Sequence, residues 1–140
     1  MRTILIAQRD VAFAEQLAIE LRAAGYCALA CAGPLPPAER CIRCDKGYCP
    51  QTEGADLMIY DPQLTAVEAG GQRHSLGVNS SLAHPEVPML LARSKAGVPV
   101  AGALRAIVAQ VPCVHVAAHE PAAHLRQVHD LLAAAAAPAR

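Results

Sequence analysis

The sequence predicts an α/β domain built on a parallel β-sheet, and three observations point there. Short, mainly apolar runs recur along the chain as TILIA, DLMIY, PMLLA and CVHVA, the first of them unbroken. Such runs mark strands buried on both faces, as parallel sheets require. Segments with helical spacing separate several of them, which implies right-handed crossovers between parallel strands. At 140 residues the chain is expected to form one domain, residues 1–140, with a core that needs no covalent staples.

The elements follow in order. Thr3–Ala7 is predicted as the first strand, and Asp10 as the N-cap of a helix whose buried stripe is Phe13, Leu17, Leu21 and Ala24. Gly25 supplies the stop after that helix. A second strand is predicted over Tyr26–Ala32, after which Gly33-Pro34-Leu35-Pro36-Pro37 breaks the chain. The third strand, Asp56–Tyr60, ends at Asp61-Pro62. Gly70-Gly71 reads as a hairpin turn, and Asn79 as the cap of a short helix ending at His84-Pro85. Pro88–Ala92 is the fourth strand, Ala101–Gln110 a helix and Pro112–Ala117 the fifth strand. Pro121 suits the first turn of a last helix reaching about Ala136, with Leu125, Val128, Leu131 and Leu132 on its apolar face. The expected architecture is a flavodoxin-like, five-stranded parallel sheet in the order 2-1-3-4-5. A Cys-rich loop stands where the second helix belongs.

That loop carries the most informative chemistry. Cys41, Cys44 and Cys49 form a C-x2-C-x4-C cluster, and Cys31 closes the second strand just upstream. Two cysteines separated by two residues reach one ion from a single tight turn, the commonest half of a tetrahedral thiolate site. Gly47, three places after Cys44, fits the left-handed position such a turn needs. Without an ion, residues 33–55 form a long loop with few large apolar groups, which a compact domain seldom tolerates. A structural Zn²⁺ on Cys31, Cys41, Cys44 and Cys49 supplies the missing order. An iron–sulfur cluster remains the alternative, since thiolates alone do not separate the two. Free thiols, or a redox disulfide among Cys41, Cys44 and Cys49, are the third outcome. Cys113 reads as a small buried hydrophobe, and Cys27, at the end of the second strand remote from the Cys loop, as inert. His74 or His84 is the candidate replacement for Cys31 as fourth ligand. His119, His124 and His129 are spaced five apart and share no helical face, so surface or capping roles are expected.

Several function classes are excluded by composition. Twelve basic and twelve acidic residues cancel, so no net charge draws the chain to nucleic acid or an anionic membrane. One Phe, three Tyr and no Trp argue against stacking on bases. No run of about 18 apolar residues marks a membrane span, and MRTILIAQRD lacks the features of a signal peptide. A cytoplasmic protein with reduced thiols is expected. No Ser-His-Asp or Cys-His arrangement and no Gly-rich phosphate loop is readable, so an enzyme is not expected.

The segments ILIAQRDVAFAEQLAIELRAAGY, ADLMIYD, VPMLLARS and HEPAAHLRQVHDLL together resemble the receiver domain of bacterial response regulators. Only about residues 34–54 and 64–84 fall outside the resemblance. It implies that Asp61 occupies the phosphoacceptor position. The family's Mg²⁺-binding acidic pair reads Gln8-Arg9 here. Its hydroxyl residue falls on Arg93, with Ser94 one place late, and its lysine falls near Ala117 or Ala118. Pro62 offers no N–H to a phosphoryl oxygen. Phosphoryl transfer depends on metal and positive charge at the equatorial oxygens, so the resemblance implies a degenerate pseudo-receiver. Arg9 or Arg93 is expected to pair with Asp61 in place of the metal. A protein partner, or a second copy, is expected on the face formed by the fourth strand, fifth strand and last helix. An Asp61-phosphorylated regulator is the alternative that the resemblance keeps open.

Overall fold

The structure, a computed structural model, describes residues 1–31, 33, 49–61, 64–67, 73–75, 80, 84–93, 113–115 and 121–136. The elements are β1 (Thr3–Ala7), α1 (Val11–Ala23), β2 (Cys27–Cys31), α2 (Pro50–Glu53) and β3 (Leu57–Tyr60). They continue with β4 (Thr65–Val67), β5 (Arg73–Ser75), β6 (Met89–Arg93), β7 (Cys113–His115) and α3 (Pro121–Ala136). The main sheet runs β2-β1-β3-β6-β7, and every pairing in it is parallel. The α/β class and the order of the first four parallel strands follow the sequence reading. β7 joins through three paired residues, Leu91 with Cys113 to Arg93 with His115.

Alternation along the strands sorts the core. Ile4, Ile6, Leu57, Ile59, Leu90 and Ala92 pack under Phe13, Ala14, Leu17, Ala18 and Leu21 of α1 and Val128 and Leu132 of α3. Their neighbours Leu5, Met58, Met89 and Leu91 are equally buried on the opposite face, which explains why the strands read as unbroken apolar runs. Asp10 caps α1 as expected, its Oδ1 accepting from Phe13 N–H at 3.1 Å. Gly25 follows at φ +99°, a left-handed value that ends the helix. The expected stripe is corrected at one end: Ala24 is exposed because it is the C-cap, while Ala14 and Ala18 join the buried face.

β2 is an edge strand with only Ala28 buried. Arg22 Nη2 donates to Ala28 O at 2.8 Å, occupying a carbonyl that points away from β1. Covering an edge carbonyl in this way discourages pairing with another chain. Residues 50–53, inside the segment expected to be irregular, form the single turn α2. Pro50 stands at its first position, where a missing N–H costs nothing. β4 and β5 pair antiparallel from Thr65–Ser75 to Val67–Arg73, the hairpin expected around Gly70-Gly71. His84 N–H bonds to Ser80 O at 2.9 Å, a helical turn where a short helix was expected. The helix expected over 101–110 lies outside the described residues.

At the opposite end of the sheet the Tyr26 hydroxyl hydrogen-bonds to His129 Nδ1, the two rings tilted with centroids 5.3 Å apart. Burial holds the Tyr26 phenol above its ordinary value of 10.0, against a smaller opposing pull from Arg2. The folded state therefore keeps the phenolic proton longer than the unfolded chain. Its contribution to stability is fully present below the unfolded value and is lost as pH rises through the folded one. Urea titrations between about pH 9 and 11 are expected to show this alkaline decline in the wild type and a flatter profile in Tyr26→Phe.

Candidate functional site

The carboxyl edge of the sheet gathers the residues singled out from sequence. The register places Ala7 beside both Cys31 and Tyr60, and Tyr60 beside Leu91. Gln8, Cys31, Asp61 and Arg93 therefore all stand at that edge. In open α/β sheets this is where ligands bind.

Gln8 is the organising residue. It is 0 % exposed, and its N–H extends the β1–β2 ladder by donating to Cys31 O at 3.0 Å. Its side chain spans β3, Nε2 donating to Ala92 O on β6 at 3.1 Å. That bond fixes which end of the amide is nitrogen, since a carbonyl accepts only from a donor. Oε1 is buried without a hydrogen-bond partner among the described residues. A carboxylate in this position would set two acceptors against each other at Ala92, so the amide makes a bond that an ionised acid there cannot. Sequence reasoning recognised Gln8 only as a lost acid. Its glutamine identity was the available signal, but nothing local reveals a partner on another strand.

Asp61 is half-buried. Its N–H donates to Ala7 O at 2.8 Å, and its carbonyl accepts from Leu64 N–H at 3.1 Å. Arg9 is exposed beside the start of α1. Arg93 closes β6. Pro62, Ser94, Ala117 and Ala118 lie outside the described residues.

The thiols are only partly brought into view. Cys27, Cys31 and Cys49 are free and half-buried. Cys31 Sγ accepts from Gly33 N–H at 3.4 Å, and Gly33 has φ +79°, so a backbone donor already faces the sulfur. Cys49 is the N-cap residue of α2 and makes no side-chain capping bond, which leaves its sulfur uncommitted to the helix end. Cys41 and Cys44 lie outside the described residues. Among the described residues no three His, Cys, Asp or Glu side chains form a group able to hold a metal ion.

His84, a candidate substitute ligand, is otherwise engaged. It is largely buried, with Nε2 3.5 Å from Glu53 Oε1 and Nδ1 3.7 Å from Glu86 Oε1. Both ring nitrogens thus face carboxylates. The nearby Tyr60 hydroxyl and Ser80 Oγ share a buried hydrogen bond of 2.7 Å, tying the segment before β6 to the end of β3. His74 lies on β5.

No protein-family model and no curated protein sequence matches the chain. Solved structures do. A response regulator receiver domain protein (CheY-like) from Methanospirillum hungatei JF-1 superposes with TM-score 0.65, covering 96% of both chains at 15% identity. The fold is receiver-like. The N-terminal domain of a response regulator/sensory box/GGDEF 3-domain protein from Carboxydothermus hydrogenoformans gives TM-score 0.61, 20% identity and 95% coverage of each chain. A response regulator receiver domain protein from Clostridium thermocellum gives 0.58 at 11% identity, over 96% of this chain and 94% of that one. No helix among the described residues is long and apolar enough to cross a membrane.

Proposed function

We propose that this chain is a non-catalytic, receiver-type regulatory module whose phosphotransfer pocket has been replaced by fixed internal contacts. The observation that carries this reading is Gln8. The buried amide bridges β1 and β6 where a receiver would hold an acidic residue. A neutral group at that point supplies no charge to attract Mg²⁺, which binds through carboxylates and water. Asp61 then stays unphosphorylated and pairs with Arg9 or Arg93.

The module takes a flavodoxin-like, five-stranded frame whose second crossover is a Cys-rich segment. Cys31, Cys41, Cys44 and Cys49 hold one structural Zn²⁺ in it. Gly33 N–H aimed at Cys31 Sγ supports a ligand role there, because a metal-bound sulfur is a better acceptor than a free thiol. Bound Zn²⁺ supplies the bonds that order the segment between Cys31 and Cys49. The protein works in the cytoplasm. It meets a protein partner or a second copy through β6, β7 and α3.

Elemental analysis of untagged protein purified under reducing conditions tests the metal assignment. About one Zn²⁺ per chain is expected. Brown colour with visible absorbance would assign the sulfurs to an iron–sulfur cluster instead, and absence of any metal would leave them as thiols.

A further inference from the structure

The carboxyl edge contains a closed ring of contacts linking the thiol side to Asp61. Gly33 N–H donates to Cys31 Sγ. Gly33 lies so close to Leu64 that an added Cβ would stand 2.6 Å from Leu64 Cδ1. Leu64 is 1 % exposed, and its N–H donates to the Asp61 carbonyl. Asp61 N–H bonds to Ala7 O, and Gln8, the next residue, bonds back to Cys31 O. Each link is a described backbone bond, a described N–H to sulfur bond or a packing contact.

We propose that ligation of the Cys31 sulfur sets the position of Leu64 and Asp61 through the Gly33–Leu64 contact. The metal form of this coupling rests on the ligation at Cys31 proposed above. A metal-ligated sulfur is a stronger acceptor than a free thiol, so it holds the Gly33 N–H and with it the left-handed turn. Weakening that bond lets the turn relax. Gly33 has no side chain to absorb the motion, and Leu64 is packed on all sides, so the displacement passes to Leu64 rather than dissipating. Leu64 is bonded to Asp61, and Thr65 opens β4 directly after it. The output of the thiol site is therefore Asp61 and the start of β4 at Thr65.

Amide resonances of Asp61, Leu64 and Thr65 in the ¹⁵N-labelled protein read the coupling, with Zn²⁺ stoichiometry measured on the same samples. In the wild type, Zn²⁺ is expected to bind and to move these three resonances together. Leu64→Ala, or the milder Leu64→Val should the first not fold, keeps the Zn²⁺ stoichiometry but loses the response at Asp61 and Thr65. Zinc binding with unmoved Asp61 and Thr65 amides in the wild type would overturn the coupling and leave the ligation standing. An independent arm needs no metal. In reduced, metal-free protein, Cys31→Ala removes the sulfur acceptor and is expected to shift the same three amides, whereas an unchanged spectrum there overturns the coupling. Failure of Zn²⁺ to bind overturns only the ligation.

Discussion

Gln8→Glu is expected to destabilise the domain by on the order of 3 kcal/mol at neutral pH, the scale of an uncompensated buried charge. The new side chain matches the old in length but sets a carboxylate against Ala92 O, the carbonyl that Gln8 Nε2 now satisfies. Protonated, the acid donates to that carbonyl and restores the bridge. Burial disfavours its charged form, so its folded pKa lies above the ordinary carboxylate value of about 4.3. The sign follows: stability relative to wild type is best below the unfolded value and is lost as pH rises through the folded one. Urea denaturation of both proteins across about pH 4 to 8 checks this. A variant as stable as wild type at neutral pH would mean that a cation compensates the edge. If added Mg²⁺ were that cation, a latent metal pocket would be exposed.

Cys44→Ser is expected to abolish Zn²⁺ binding while leaving the sheet folded. The buried side chains of β1, β3 and β6 include none of the proposed ligands, so the main urea transition should move little. Ordering of the Cys segment, by contrast, depends on the ion. Tryptic cleavage at Arg40 and Arg43 is expected to accelerate by about tenfold or more, corresponding to a loss of roughly 1.4 kcal/mol of local stability. Collapse of the whole fold in this variant would show that the thiolate site belongs to the core.

Much of the frame was legible because its signals are local. Strands buried on both faces leave unbroken apolar runs, and β1 and β3 carry them. Asp10, Gly25 and Pro121 mark helix ends by backbone chemistry that needs no tertiary context, and a pair of glycines marks the β4–β5 turn. What escaped the sequence depends on contacts between distant residues. Gln8 meets Ala92 across 84 positions, and only the sheet order makes that pair adjacent. His84 lies between Glu53 and Glu86 because the turn before β6 returns to α2, which no periodicity announces. Ala24 fell out of the predicted stripe for the opposite reason: the spacing was right, but the helix ended first.

The direct test of the central claim is intact mass after incubation with acetyl phosphate and Mg²⁺. With Gln8 in place of an acid, the wild-type chain is predicted to show no added phosphoryl group and no change in Tm. A mass gain of one phosphoryl group that vanishes in Asp61→Asn would contradict the account and make Asp61 a working phosphoacceptor.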